Sequence, residues 1–75
     1  MPQTGLQVYP NPASDQALVV APVGGALLMH DVQGRVVLRM LAEAYVPAEL
    51  DLTALAPGMY VVRIGDFVER IQVLR

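Results

Sequence analysis

Apolar residues in this chain recur with period two, and Pro or Gly breaks the pattern before any stretch reaches helical length. Period two is the repeat of a half-buried strand, because successive side chains point to opposite faces of a sheet. Val46, Ala48, Leu50 and Leu52 set against Pro47, Glu49 and Asp51 show it most cleanly. Turn residues return about every 8 to 12 positions, the punctuation of an all-β sandwich. The fold class predicted is a small immunoglobulin-like antiparallel β-sandwich of about seven strands.

The first strand is predicted from Leu6 to Tyr9, with Leu6 and Val8 inward. It ends in Pro10-Asn11-Pro12, where two prolines fix φ and restrict the residues before them. Gln16 to Ala21 follows, with Leu18 and Val20 inward, closed by Pro22-Val23-Gly24-Gly25. Ala26 to Asp31, with Leu27 and Met29 inward, pairs through a tight turn with Arg35 to Leu41, where Val36, Leu38 and Met40 face the core. Asp31 suits the first position of a type I turn and Gly34 supplies the positive φ that completes the reversal. After the Val46 to Leu52 strand, the segment from Asp51 to Gly58 reads as a corner with one helical turn capped by Thr53. Met59 to Ile64 leaves it with Tyr60, Val62 and Ile64 inward, and the Tyr60 hydroxyl is expected to bond an upstream backbone group, as in a tyrosine corner. Gly65-Asp66 then makes a two-residue hairpin turn of the primed kind into Phe67 to Leu74.

Seventy-five residues allow one domain, and a chain this short buries only about 60% of its unfolded surface. With no cysteine and a single histidine, His30, neither a disulfide nor a structural zinc is expected to help, so apolar packing carries the fold. Hydrophobic residues make up 55% of the chain, too many to bury in so small a body; some are expected on a face or edge that meets another protein. Residues 1–5 are read as a flexible linker remnant and 6–75 as the domain. The Met1 to Gly5 segment has neither the basic residues nor the apolar run of a signal peptide.

Chemistry-bearing residues are sparse. His30 and Asp31 are adjacent in a strand and so point to opposite faces, which makes His30 an ordinary strand residue rather than a general base. Glu43, Glu49, Asp51, Asp66 and Glu69 fall on separate turns and outward faces, the pattern of a solvated surface rather than a metal site or a glycosidase pair. Ser14 has no histidine at a motif spacing, and Gly24-Gly25 does not lie between a strand and a helix as a phosphate loop would. No catalytic, cofactor or metal residues are assigned, and no enzyme activity is expected. The net charge of −2, with five scattered arginines and no lysine, argues against a nucleic-acid surface. Arg63, Arg70 and Arg75 lie on the last two strands, where cations commonly guard sheet edges.

Taken together, these motifs resemble the C-terminal sorting domain, type A, of cargo exported by the type IX (Por) secretion system of Bacteroidetes-type bacteria. The resemblance rests on Val8-Tyr9-Pro10-Asn11-Pro12, on Asp31 with Gly34-Arg35-Val36-Val37, on Leu55 with Gly58, Tyr60 and Ile64, and on a closing strand from Val68 to Arg75. It covers about residues 6 to 75. It implies the tail of a larger exported protein, met in the periplasm by the secretion machinery, carried across the outer membrane, and removed by a sortase-like peptidase as the cargo reaches the cell surface. The residues it marks for sorting are Pro10, Asn11, Pro12, Asp31, Gly34, Arg35, Leu55, Gly58, Tyr60, Ile64, Arg70 and Arg75. The family's last strand is commonly lysine-rich, whereas this one carries Arg70 and Arg75, whose planar guanidinium is not equivalent to an ammonium. Met59 to Leu74 is expected to be the recognised element, read by strand addition. Two other readings remain open on the residues alone: a carbohydrate-binding or adhesive module, which calls for exposed aromatics in a chain with three Tyr and one Phe, and a structural spacer that dimerises through sheet edges.

Overall fold

Alternating apolar strands must bury one face each, and here they do so against one another in two layers. The computed structural model describes residues 5–74 and contains seven strands and no helix: β1 (Gln7–Tyr9), β2 (Gln16–Val20), β3 (Gly25–His30), β4 (Val36–Ala42), β5 (Ala48–Asp51), β6 (Gly58–Ile64) and β7 (Phe67–Val73). One sheet has the order β1-β2-β5 and the other β4-β3-β6-β7, with every strand pair antiparallel. This is the expected immunoglobulin-like sandwich. The linker reading of residues 1–4 and the sorting assignment of Arg75 lie outside the described residues.

The core between the layers is apolar throughout. Leu27 and Met29 of β3, Leu50 of β5, Val62 of β6, and Ile71 and Val73 of β7 are fully buried, joined by Leu6, Leu52, Tyr60 and Ile64. No polar or charged side chain among the described residues is buried with them. The expected inward faces of β3, β6 and the Ala48 to Leu52 segment are therefore found.

Three expected orientations are corrected. In β2 the inward residues are Ala17, Val19 and Ala21, while Leu18 and Val20 are only half-buried. Pairing with β5 sets this phase, because Ala17 and Val19 lie opposite the buried Leu50 and Ala48, and a one-residue slip would turn every side chain over. In β4, Val36 is exposed, and Val37 packs on the core beside Leu38, Met40 and Ala42. The register shift between Met29 and His30 inserts an extra β4 residue there and reverses the alternation. Val46 is also exposed, because its N–H bonds the Glu43 carbonyl in a turn before β5 begins.

The 51–58 corner contains turns rather than a helical turn, and its cap is Asp51, not Thr53. The Asp51 carboxylate accepts from the Thr53 N–H at 3.0 Å and the Thr53 hydroxyl at 2.6 Å, an Asx turn in which the acid precedes the bend. Leu55 N–H then bonds Leu52 C=O at 3.0 Å.

Candidate functional site

Three motifs separated by about twenty residues each in the chain meet at one end of the sandwich. His30, the residue before the Asp31 turn, lies opposite Val61 near the start of β6, and Val61 lies opposite Arg70. Gly58, the first residue of β6, pairs with Val73, which in turn bridges Ala13 just after Pro10-Asn11-Pro12. The Leu52 N–H bonds Asp15 C=O at 2.8 Å, tying the corner to the same segment.

At the Asp31 turn the carboxylate does the work of several backbone partners. Oδ1 accepts from the N–H groups of Gln33 (2.9 Å) and Arg35 (3.0 Å), and Oδ2 accepts from Arg35 Nε (2.9 Å). The Gly34 N–H closes the turn on the Asp31 carbonyl at 3.0 Å. Gly34 has φ 87°, the left-handed position that ends a three-residue hairpin loop and that side-chain-bearing residues adopt at a cost. The hydrogen bond from the Arg35 backbone holds the Asp31 carboxyl below its ordinary pKa against a smaller opposing effect of burial, and the Arg35 and Gln33 contacts add to the lowering. The Asp51 carboxyl is lowered in the same way by the Thr53 hydroxyl and N–H.

At the corner the work is done by a buried ring. Tyr60 is 7% exposed and its hydroxyl donates to the Ala56 carbonyl at 2.5 Å, the tyrosine corner expected from sequence. Leu55 packs on the core and Ile64 lies fully within it. Gly58 has φ 154°, yet a Cβ built there meets no atom within 4 Å, so backbone conformation and not space selects glycine.

Pro10-Asn11-Pro12 is exposed, but Asn11 reaches across the whole chain. Its Nδ2 donates to the Arg70 carbonyl at 2.9 Å and its Oδ1 accepts from the Gln72 N–H at 3.1 Å. Ala13 continues the contact, donating to Gln72 C=O (2.9 Å) and accepting from Leu74 N–H (2.8 Å). Asn11 and Ala13 thus act as a short stand-in strand along the outer edge of β7. Sequence reasoning did not find this strap, because its partners lie 59 and 61 residues away.

Above these motifs, the outer face of the four-stranded sheet is basic and apolar. Register places Arg39, Leu28, Arg63 and Val68 in one row across it, and Val36, His30, Val61 and Arg70 in the next. Arg63 sits on β6, an interior strand, so guarding a sheet edge is not its role. Arg35 is the only arginine among the described residues that forms an ion pair. A shallow cavity of about 370 Å³ opens here between the Asp31 turn and the sheet, lined by His30, Asp31, Val32, Gly34, Val61, Arg63 and Val68. The other sheet carries the opposite sign: Asp15, Glu49 and Asp51, with Gln16 and Thr53, line a cavity of about 310 Å³. No group of three His, Cys, Asp or Glu side chains among the described residues could hold a metal ion.

The molecule is thus a small antiparallel β-sandwich whose polar motifs shape turns and cover an edge. The chain matches the family model described as the secretion system C-terminal sorting domain over residues 7–72, and it belongs to that family. No curated protein and no solved structure matches it. Family membership makes the domain a C-terminal sorting signal of the type IX secretion system, which interacts with that machinery and marks a protein for export across the outer membrane. The family is a sorting-signal family, not a catalytic one.

Proposed function

We propose that residues 6–75 form one sorting domain at the tail of a larger cargo, which the domain delivers from the periplasm to the cell surface, where a sortase-like peptidase removes it. The proposed division of labour follows from exposure. Leu55, Gly58, Tyr60 and Ile64 set the frame, Asp31 and Gly34 shape a turn, and Pro10, Pro12, Arg35 and Arg70 present chemistry to the machinery, with Arg75 assigned to the same role by the resemblance alone. Asn11 links the two groups by holding β7 in place.

The observation that carries this reading is the meeting of three of the motifs behind the resemblance at one end of the sandwich, beside the open end of the β6–β7 hairpin. A scaffold without a reader has no need to gather them. With Asn11 and Ala13 along the β7 edge, the hairpin is best read through its outer face, by way of Met59, Val61, Arg63, Val68 and Arg70, rather than by strand addition at β7.

Removing Ile71 to Arg75 is a poor test, because Ile71 and Val73 are fully buried and the fold would go with the label. Charge reversal separates the two. A secreted reporter fused to residues 1–75 in a host with the type IX system is expected to reach the cell surface and lose the domain. Arg63→Glu with Arg70→Glu should leave the melting temperature near that of the parent and trap the reporter in the periplasm. Normal surface display of that folded double variant would reject the hairpin face as the recognised element.

A further inference from the structure

The four-stranded sheet has two edges, and they are treated differently. Along β7, the Asn11 carboxamide, the Ala13 backbone and the Glu69 carboxylate occupy the groups of Arg70, Gln72 and Leu74 that face outward. Along β4, no backbone group of another segment among the described residues pairs with the outer side. A free edge is a template for another chain, and folded domains usually blunt it with Pro, charge, a bulge or a cover. β4 has no Pro and one charge, Arg39, and its bulge lies at the Val36 end, leaving Leu38 to Ala42 in regular register. Leu41, near the other end, is 82% exposed.

Charge selects the occupant. A strand added beside β4 lies next to Arg39, a guanidinium group with no carboxylate partner among the described residues, while Arg63 and Arg70 stand two and three strands further in. Opposite charges on facing strand positions stabilise a pair and like charges oppose it. A second copy pairing through its own β4 would bring another Arg39-bearing strand onto the same face and no acid, and its β5 edge, which carries Glu49 and Asp51, spans only four residues. On the opposite face of β4, Leu38, Met40 and Ala42 pack against the core and favour apolar residues at the positions between acids.

We propose that the outer edge of β4, from Leu38 to Ala42, receives an extended segment of a partner protein in which apolar residues alternate with Asp or Glu, adding a fifth strand to the sheet. That the partner is a component of the export machinery rests on the sorting reading above; the capacity of the edge to take such a strand does not. Main-chain hydrogen bonds supply affinity in this mode and side-chain pockets supply selectivity.

The test uses the 75-residue chain and a capped peptide of alternating Val and Glu, about eight residues long. Its Val/Lys counterpart and phosphatidylglycerol vesicles serve as the other arms. Amide exchange by NMR is expected to slow about tenfold or more at β4 amides with the Val/Glu peptide and stay unchanged along β7. Arg39→Glu should weaken that peptide about tenfold and favour the Val/Lys peptide instead. Leu41→Glu, at a more exposed site, provides the same comparison should Arg39→Glu lower the melting temperature. Protection at β1 or β5 in place of β4, equal binding of both peptides, binding of vesicles alone, or self-association through β4 would each overturn the proposal. In the reporter assay, Arg39→Glu is expected to reduce surface display about tenfold. Peptide binding with undiminished display would reject the machinery as partner while leaving the strand site standing. Failure of the parent reporter to be exported would instead count against the sorting reading, and the peptide result would still decide the edge.

Discussion

The Tyr60 corner and the Asp31 turn lie at the same end of the sandwich and solve the same problem in different media. Each uses one side chain to hold a bend that the backbone alone would leave loose. At the corner the holder is a ring with 7% of its surface exposed, so packing and the hydroxyl bond to Ala56 reinforce each other away from water. At the turn the holder is a carboxylate with 15% of its side chain exposed, and its partner Arg35 has 75% in solvent, so water competes for the ion pair from the arginine side. The corner should therefore govern whether the domain folds, and the turn how its surface is shaped.

Tyr60→Ala is the severest way to press that contrast. Losing a buried aromatic ring costs about 3–5 kcal/mol, a large share of the whole stability of a domain this size, which is about 4–11 kcal/mol. At about 4–8 °C per kcal/mol the melting temperature should drop by tens of degrees, or the chain should fail to fold. Tyr60→Phe sharpens the point by keeping the ring and removing only the hydroxyl, for an expected loss of about 1 kcal/mol. Equal melts for the two variants would show that the hydrogen bond, not packing, holds the corner.

Gly58→Ala comes next, and it tests conformation without volume. There is room for the methyl group, so the expected cost of about 1–3 kcal/mol arises from φ 154° alone. A denaturant midpoint equal to the parent's would mean that the backbone relaxes freely at the start of β6.

Asn11→Ala should cost about 1–2 kcal/mol for two lost hydrogen bonds at an exposed edge. Its distinguishing mark is local: Gln72 loses the acceptor for its N–H, so that amide should exchange faster while Val62, deep in the sheet, follows global stability. Asn11→Asp keeps an acceptor and loses the donor, and should fall between the two.

The existence and order of the strands were legible because alternation and turn residues are local signals, and the Tyr60 corner was legible because Leu55, Gly58 and Tyr60 sit within one bend. Phase was not legible in β2, where Ala17-Leu18-Val19-Val20-Ala21 is apolar on either face and only pairing with Ala48 and Leu50 decides. The β4 bulge left no mark either, since an extra valine among valines changes no pattern. The sorting motifs could be named from spacing, but their meeting at one end depends on contacts such as Asn11 with Arg70 and Ala13 with Val73, which no local rule predicts. Arg63 was placed correctly on its strand, whereas its position in an interior strand required the sheet order.

Asp31→Asn is the mildest perturbation and the one that most directly separates the two bends. The folded protein holds the Asp31 carboxyl below its ordinary pKa, chiefly through the Arg35 backbone N–H, so the ionised form is favoured in the fold. Such a group binds a proton less readily folded than unfolded; its contribution is present above the unfolded pKa of about 3.9 and is lost as pH falls through the lower folded value. The asparagine variant lacks that linkage. It should melt slightly below the parent at pH 6, and the gap should close as pH is taken below 3.9. Tyr60→Phe, which alters no carboxylate, should instead keep a constant gap over the same range. A pair of melting curves against pH that run parallel for Asp31→Asn would place the turn's stabilisation in shape rather than charge, and would erase the distinction between a bend held in water and one held in the core.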